Sequence, residues 1–169
     1  MNRLMSALRA LGVTLLLGAV AACARGEEDW VLPDPGMVTE WFGESAEARL
    51  DGNVLEIRGR MEPDHLRRGG RIWARSGPYF YLFNVHVQRI LVDYPDVAAV
   101  RARTFDQRGQ EVATATLSRD RLSEFRWDEA LARASLAQQE GTRSPRLVER
   151  LISFGEDHTE YTYSGADTD

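Results

Sequence analysis

Residues 46–60 read AEARLDGNVLEIRGR, and this stretch predicts the first part of a β-sheet. Two short alternating runs flank Asp51-Gly52-Asn53, and Asp-Gly between such runs is a strong signal for a β-hairpin. Side chains alternate between the two faces of a strand. The alternation therefore predicts two inward side chains, Leu55 and Ile57, and two outward side chains, Glu56 and Arg58.

A second hairpin is predicted over residues 97–117. Its two alternating runs, residues 97–106 and 111–117, are joined by Gln107-Arg108-Gly109-Gln110. The β-branched residues in the runs and the glycine in the turn both favour this assignment. In the first run, Val100, Ala102 and Thr104 would face one way and Arg101, Arg103 and Phe105 the other. In the second run, Val112, Thr114 and Thr116 would face away from Ala113, Ala115 and Leu117.

Between the hairpins, residues 78–94 (PYFYLFNVHVQRILVDY) carry two competing periods. An alternating set, including Tyr81 and Val85, is typical of a strand, whereas Phe83, Val87 and Ile90 recur at helical spacing. Alternation fails at residues 89–92, while the helical pattern continues to the end. We therefore predict a helix, with a strand as the alternative. Ser76 is its candidate cap, and Pro78 suits its first turn.

The C-terminal part predicts two helices and a strand. The first helix would run from Asp128 to about Gln139, and the second would open at Ser144-Pro145 and end at Gly155. Residues 158–163 alternate and form a possible edge strand. Together these elements predict the α+β class: an antiparallel sheet of two hairpins plus a possible C-terminal edge strand, with helices packed on one face.

The amino terminus has the layout of a secretory signal. Arg3 and Arg9 precede an uncharged run, and small residues lead to Cys23. The run is shorter than the roughly 20 residues that a membrane-spanning helix needs. The predicted organisation begins with a removed signal over residues 1–22 and a tether over residues 23–40. A folded domain over residues 41–164 and a frayed tail over residues 165–169 follow.

The sequence Val20-Ala21-Ala22-Cys23 resembles the lipobox of bacterial lipoproteins. The resemblance implies cleavage between Ala22 and Cys23, a diacylglyceryl group on the Cys23 sulfur and acylation of the new amino terminus. Val20 departs from the commoner Leu, and an ordinary signal peptide is the alternative. Ala24 after the cysteine, in place of Asp, implies sorting to the outer membrane if the source has one.

Composition excludes several kinds of chemistry. All 21 basic residues are arginine, so lysine Schiff bases and Walker-type phosphate loops are absent. Loss of Arg3 and Arg9 with the signal leaves 19 arginines against 26 acids, a net charge of −7, which argues against nucleic-acid binding. Cys23 is the only cysteine. A disulfide within the chain is therefore impossible, and no cofactor is expected.

No catalytic or metal motif stands out. There is no G-x-S-x-G or H-E-x-x-H, and His65, His86 and His158 are far apart in the chain. Two short acid-histidine clusters, Glu62-x-Asp64-His65 and Asp157-His158, could belong to a site assembled in space. We expect His86 to lie at the edge of the core.

Two other features could contact a ligand. Residues 61–76 look irregular and carry four arginines that could contact anionic groups or pair with nearby acids: Arg67, Arg68, Arg71 and Arg75. Four aromatic side chains could form the principal core or line a groove: Tyr79, Phe80, Tyr81 and Phe83.

The leading hypothesis is a membrane-anchored lipoprotein of the cell envelope that acts as a non-enzymatic binding or scaffold module. Its partners would be the membrane, through the lipid on Cys23, and an envelope protein or a cell-wall polymer. In a Gram-negative source it would sit on the periplasmic face of the outer membrane. Two alternatives remain open: an envelope hydrolase with a spatially assembled site, and a carrier of an apolar ligand.

Overall fold

The structure of the chain is a computed structural model that describes residues 30–64 and 70–164. The predicted signal, which includes Ala22, lies outside these residues. So do four other residues for which the sequence makes predictions: Cys23, His65, Arg67 and Arg68. Over the two described ranges, no helix is both long enough and apolar enough to cross a membrane.

The described residues form five α-helices and five strands, which confirms the predicted α+β class. In chain order they are α1 (Pro35–Phe42), β1 (Ala46–Asp51), β2 (Val54–Arg60), α2 (Arg71–Leu82), α3 (Val85–Asp93), β3 (Ala99–Phe105), β4 (Glu111–Ser118), α4 (Glu124–Glu140), α5 (Pro145–His158) and β5 (Glu160–Tyr163). Short 3₁₀ turns precede β1, at Gly43–Ser45, and follow β4, at Arg119–Arg121.

The five strands make one sheet in the order β1-β2-β3-β4-β5. The pairs β1–β2, β3–β4 and β4–β5 are antiparallel, which confirms both predicted hairpins and the C-terminal edge strand. The central pair, β2–β3, is parallel. Parallel neighbours need a crossover, and α2 and α3 provide it. The sheet is therefore mixed but mostly antiparallel.

The inner face of the sheet forms the core, as the alternation predicted. The two predicted inward side chains, Leu55 and Ile57, are fully buried. In the second hairpin, one of the two predicted faces of each run is fully buried: Val100, Ala102, Thr104, Ala113, Ala115 and Leu117. Helix α2 packs on β3 and β4 and also on α5, so it lies between the sheet and the outer helix. Its buried residues Tyr79 and Leu82 contribute to this layer.

The predicted helix over residues 78–94 is present but divided, and it starts earlier. Residues 71–76, predicted as irregular, are the first part of α2, so Ser76 lies inside the helix and does not cap it. The Ser76 hydroxyl donates instead to the Trp73 carbonyl. The division falls at Asn84, whose side-chain oxygen accepts hydrogen bonds from the backbone N–H groups of His86 and Val87. This N-cap starts a new helix, α3.

The folded part also begins before residue 41. Residues 35–40, which were assigned to the flexible tether, belong to α1. Asp34 accepts a hydrogen bond from the Gly36 N–H, and Pro35 occupies the first turn, where its missing N–H costs nothing. Val38 of α1 is fully buried, so this helix is part of the core.

The two C-terminal helices are longer than predicted. Helix α4 begins at Glu124 and not at Asp128, because Ser123 caps it by accepting a hydrogen bond from the Arg126 N–H. Helix α5 opens at Pro145 as predicted but continues through Gly155 to His158. Gly155 is buried against the ring of Tyr79, so it serves packing and not helix termination.

The outer face of the sheet contains one departure from the predicted pattern. Glu56 points away from the core, yet it is only 1% exposed. Arg49, Arg101 and Arg103 from the neighbouring strands cover it, with nitrogen–oxygen distances of 2.9, 3.7 and 3.3 Å. A buried carboxylate needs such partners, so the three arginines explain its burial.

Candidate functional site

Helix α2 divides the four predicted aromatic residues into two pairs. Tyr79 and Phe83 are buried, and their rings stack with centroids 5.6 Å apart. Phe80 and Tyr81 are half-buried and line a pocket at one end of the sheet. The first pair therefore serves the core, and the second pair contributes to a surface that is open to a ligand.

We call this feature the aromatic pocket. It has a volume of about 310 Å³ and lies between α1, α2, α4 and the carboxyl ends of β2 and β3. Five aromatic side chains line it: Trp41, Phe42, Trp73, Phe80 and Tyr81. This volume is at the lower end of the range for small-molecule sites, about 300–1,000 Å³.

The aromatic side chains are held in place by one another. Trp73 and Phe80 stack with centroids 5.9 Å apart and planes 20° apart. Phe42 and Tyr81 meet at a centroid distance of 5.8 Å and an angle of 51°. Because each ring has an aromatic neighbour, the surface of the pocket is already formed before anything binds.

Two glycines allow the pocket to form. A Cβ atom at Gly59 of β2 would lie 2.2 Å from Cε2 of Tyr81, so the ring rests against the strand backbone. A Cβ at Gly77 would approach the side chain of Thr104 to 3.1 Å. A glycine inside a strand often marks such close approach, so Gly59 is the sequence feature that indicates this contact.

Polar side chains surround the aromatic surface. Arg60, Glu62 and Gln138 are exposed and line the same pocket. Thr104 lies at its base, where its hydroxyl donates to the Ala113 carbonyl at 3.2 Å. The pocket therefore offers charged and amide groups beside flat apolar faces.

Arg60 also lines a second pocket, which we call the polar pocket. It has a volume of about 230 Å³. It is lined by the turn residues Asp106, Gln107 and Gly109, by Glu44, Ala46, Glu47 and Phe105, and by three consecutive β2 residues, Arg58, Gly59 and Arg60. Arg60 is common to both pockets. Arg58 lies over the Phe105 ring, 4.7 Å from its centroid, which fixes the guanidinium in the polar pocket.

The two described arginines of the predicted anionic-contact segment lie on α2. Arg75 pairs with Glu156 at 2.5 Å, and this hydrogen bond raises the pKa of Arg75. Arg71 lies over the ring of Tyr163, 6.0 Å from its centroid. Arg75 therefore follows the second of the two predicted roles, because it pairs with an acid, Glu156. The predictions for Arg67 and Arg68 fall outside the described ranges.

The described histidines lie at separate places. His86 stacks on Trp41 with centroids 5.0 Å apart, at the edge of the core. His158 stacks on Phe154, and its Nδ1 is 2.7 Å from the Phe154 carbonyl oxygen. Over the residues the structure describes, no group of three His, Cys, Asp or Glu side chains could hold a metal ion.

Asp157 and His158 share a third pocket of about 260 Å³ with Ser153. A serine-histidine-acid triad needs the acid to orient the imidazole through one ring nitrogen. Here the Nδ1 hydrogen bond of His158 goes to a backbone carbonyl and not to Asp157. The pocket therefore brings the residue types together without the contact that would make them a triad.

The buried phenols of the core are not bases at neutral pH. Burial raises the pKa of Tyr161 to about 12 and raises that of Tyr79 further. Both hydroxyls therefore stay protonated, which is consistent with roles in packing.

No protein-family model, curated protein or solved structure matches the chain. The aromatic pocket is the described surface that combines preformed apolar faces with adjacent polar groups. This combination is suited to recognition of a partner or ligand.

Proposed function

We propose that the chain is a lipid-anchored lipoprotein of the bacterial cell envelope, and that its folded part is a non-enzymatic binding module. The aromatic pocket carries the binding part of this proposal. Its two tryptophans, one tyrosine, one methionine and one arginine are residue types enriched at recognition surfaces. Its rings are ordered by contacts with one another and with His86, so little conformational entropy would be lost on binding.

The lipobox resemblance supports the location. Lipid on Cys23 would hold the module at a membrane, because each buried methylene contributes about 0.8 kcal/mol and several chains act together. Val31 begins the compact unit, and its N–H donates to Asp96 at 2.8 Å. Only a short peptide therefore separates Cys23 from the fold. The module would work close to the membrane surface, on the periplasmic face of the outer membrane in a Gram-negative source.

The two alternatives make different demands on the chain. A hydrolase would use the pocket shared by Ser153, Asp157 and His158, and it would have to reorient the imidazole. A carrier of an apolar ligand would use the aromatic pocket. There Arg60 and Glu62 would lose water against a cargo that offers no hydrogen bonds, which is costly.

Replacement of Cys23 by Ala tests the anchor. We expect the variant to lose acyl labelling and to leave the membrane fraction. If Cys23→Ala still fractionates with membranes and is cleaved at the same bond, the anchor is not a lipid on this residue.

Photo-crosslinking in the native envelope tests the binding module. The chain has no lysine, so a photoreactive phenylalanine analogue placed at Gln138, on the edge of the pocket, is preferable to amine-reactive reagents. We expect a specific adduct that Phe80→Ala abolishes. Phe125→Ala is the matched control, because Phe125 is 73% exposed and does not line the pocket. No adduct, or an adduct that both variants retain, would count against the proposal.

A further inference from the structure

We propose that the aromatic pocket and the polar pocket together bind a glycan without dense negative charge, with a sugar ring stacked among the aromatic side chains. This inference rests on the proposed binding function and names the ligand class for the same site. Arg60, which lines both pockets, would bond the segment of the glycan that passes between them.

The composition of the site separates this ligand class from an acyl chain. Among the described residues that line the two pockets, none is leucine, isoleucine or valine. The apolar surface comes mainly from aromatic rings, and the polar groups are mostly planar: Arg58, Arg60, Gln107 and Gln138 with the carboxylates. A sugar ring presents a flat face of C–H groups and an edge of hydroxyls. The C–H face packs on an aromatic ring, and the hydroxyl edge forms hydrogen bonds with planar donors and acceptors.

The arrangement of the pockets favours an elongated occupant. Arg60, the last residue of β2, lines both of them. Their volumes of about 310 and 230 Å³ are each small, so a ligand that fills both must extend past this side chain. An oligosaccharide of a few rings has this shape, and one guanidinium has five N–H donors to offer it.

The charges disfavour a polyanionic polymer. In the polar pocket, Glu44, Glu47 and Asp106 outnumber the two arginines, Arg58 and Arg60. Glu62 adds a further acid on the side of the aromatic pocket. Like charges across an interface suppress binding, so a neutral or amino-sugar glycan is complementary and a phosphate-rich or uronate-rich polymer is not.

The edge of the sheet disfavours an extended peptide. Peptides commonly bind beside a sheet by pairing with a free strand edge. Strand β1 forms the edge next to the polar pocket, but α1 packs along it. Thr39 of α1 accepts a hydrogen bond from the Ala48 N–H at 2.9 Å. A backbone donor that an added strand would need is thus already occupied.

Calorimetric titration of the full mature protein in detergent tests the proposal. The probes are a β-1,4-linked N-acetylglucosamine tetrasaccharide, a neutral β-1,4-glucan tetrasaccharide and an oligogalacturonate of the same length. We expect one or both of the first two to bind and the uronate not to bind. Phe80→Ala should weaken binding about tenfold, because the variant loses a flat aromatic face on which the sugar ring packs. Arg60→Gln should weaken it to a similar extent.

Phe125→Ala should bind the sugar as the wild type does. Arg60 is exposed, so Arg60→Gln keeps the test interpretable if Phe80→Ala proves poorly folded. Failure of both uncharged probes, preference for the uronate, or binding that neither pocket variant changes would overturn the glycan assignment. If the Gln138 photo-crosslinker then captures a protein in a Phe80-dependent manner, the binding function stands with a different ligand. If it captures nothing, the proposed function fails as well.

Discussion

Gly155 of α5 lies directly against the ring of Tyr79 of α2. A Cβ atom at this glycine would be 2.3 Å from Cε1 of the tyrosine, far inside van der Waals contact. The missing side chain lets the two helices approach closely. The Tyr79 ring also stacks on Phe83 and contacts the Tyr161 ring. This contact accounts for a glycine in the interior of a helix, where it otherwise lowers stability.

Gly155→Ala is therefore expected to destabilise the protein, although alanine is the better helix former. Overpacking of this kind costs about 1–3 kcal/mol. The better helix propensity of alanine offsets roughly 1 kcal/mol of this cost. We expect a net loss in the free energy of unfolding, measured by urea denaturation. Ser153→Ala, at an exposed position of the same helix, should change it by less than about 0.5 kcal/mol. A Gly155→Ala variant as stable as the wild type would show that the two helices can separate freely.

Tyr79→Phe is expected to leave stability unchanged or to raise it by about 1 kcal/mol. The Tyr79 hydroxyl is buried, and it has no hydrogen bond of acceptable geometry among the residues described. Thr159 lies close enough to oppose the rise in the pKa of Tyr79 that burial causes, but its own hydroxyl donates to the Gly155 carbonyl at 2.8 Å. Removal of an unpaired buried hydroxyl removes a desolvation cost. A loss of more than 1 kcal/mol in the same denaturation assay would mean that the two hydroxyls are bonded.

Stability is expected to fall above pH 10. Burial raises the pKa of Tyr161 to about 12, whereas an unfolded tyrosine titrates near 10. The unfolded state therefore releases this proton at a lower pH than the folded state does. The contribution of protonated Tyr161 to stability is present below pH 10 and is lost as the pH rises toward 12. The slope per group can reach about 1.4 kcal/mol per pH unit.

Tyr161→Phe checks this expectation. Urea midpoints measured from pH 8 to 11 should fall less steeply in the variant than in the wild type. Tyr79 would still contribute a part of the slope, because burial raises its pKa as well. Identical slopes for the two proteins would show that Tyr161 ionises as readily in the folded state as in the unfolded state.

Glu56→Gln is expected to destabilise the sheet by about 1–3 kcal/mol. The variant keeps the shape of the side chain but removes the charge that Arg49, Arg101 and Arg103 surround. Hydrogen bonds to a charged group contribute about 1.5–3 kcal/mol, and partial exposure of the arginines reduces the effect. Glu47→Gln, an exposed change on the same face, should be neutral in thermal unfolding. Equal effects of the two changes would mean that the arginine cluster contributes nothing specific.

The hairpins and the edge strand were predictable because alternation and turn chemistry are local. The division between α2 and α3 was missed because apolar residues continue across it. Asn84 is a strong helix cap, but that signal was outweighed by the periodic pattern around it. The start of α2 was missed because arginines and glycines resemble a loop until tertiary contacts, such as burial of Trp73, are known.

Features that depend on the pairing register of the strands could not be predicted from the sequence. Glu56 was correctly placed on the outer face, but its burial follows from arginines on β1 and β3 that only the pairing of strands brings together. The sequence left the four aromatic residues as either core or groove, and it did not indicate the pocket, because Trp41, Arg60 and Gln138 reach it from three distant segments. The parallel pairing of β2 with β3 accounts for one part of this convergence, because it places Arg60 beside the end of β3, where Thr104 lies.

That parallel contact has a consequence for the order of folding. Each hairpin can form locally on a microsecond timescale. The seam between β2 and β3 joins residues separated by the crossover at 61–98, and closing so long a loop slows folding. A newly synthesised chain would therefore hold two formed hairpins before β2 and β3 pair with each other. Until the crossover docks, the facing edges of β2 and β3 are unpaired and can pair with strands of other chains.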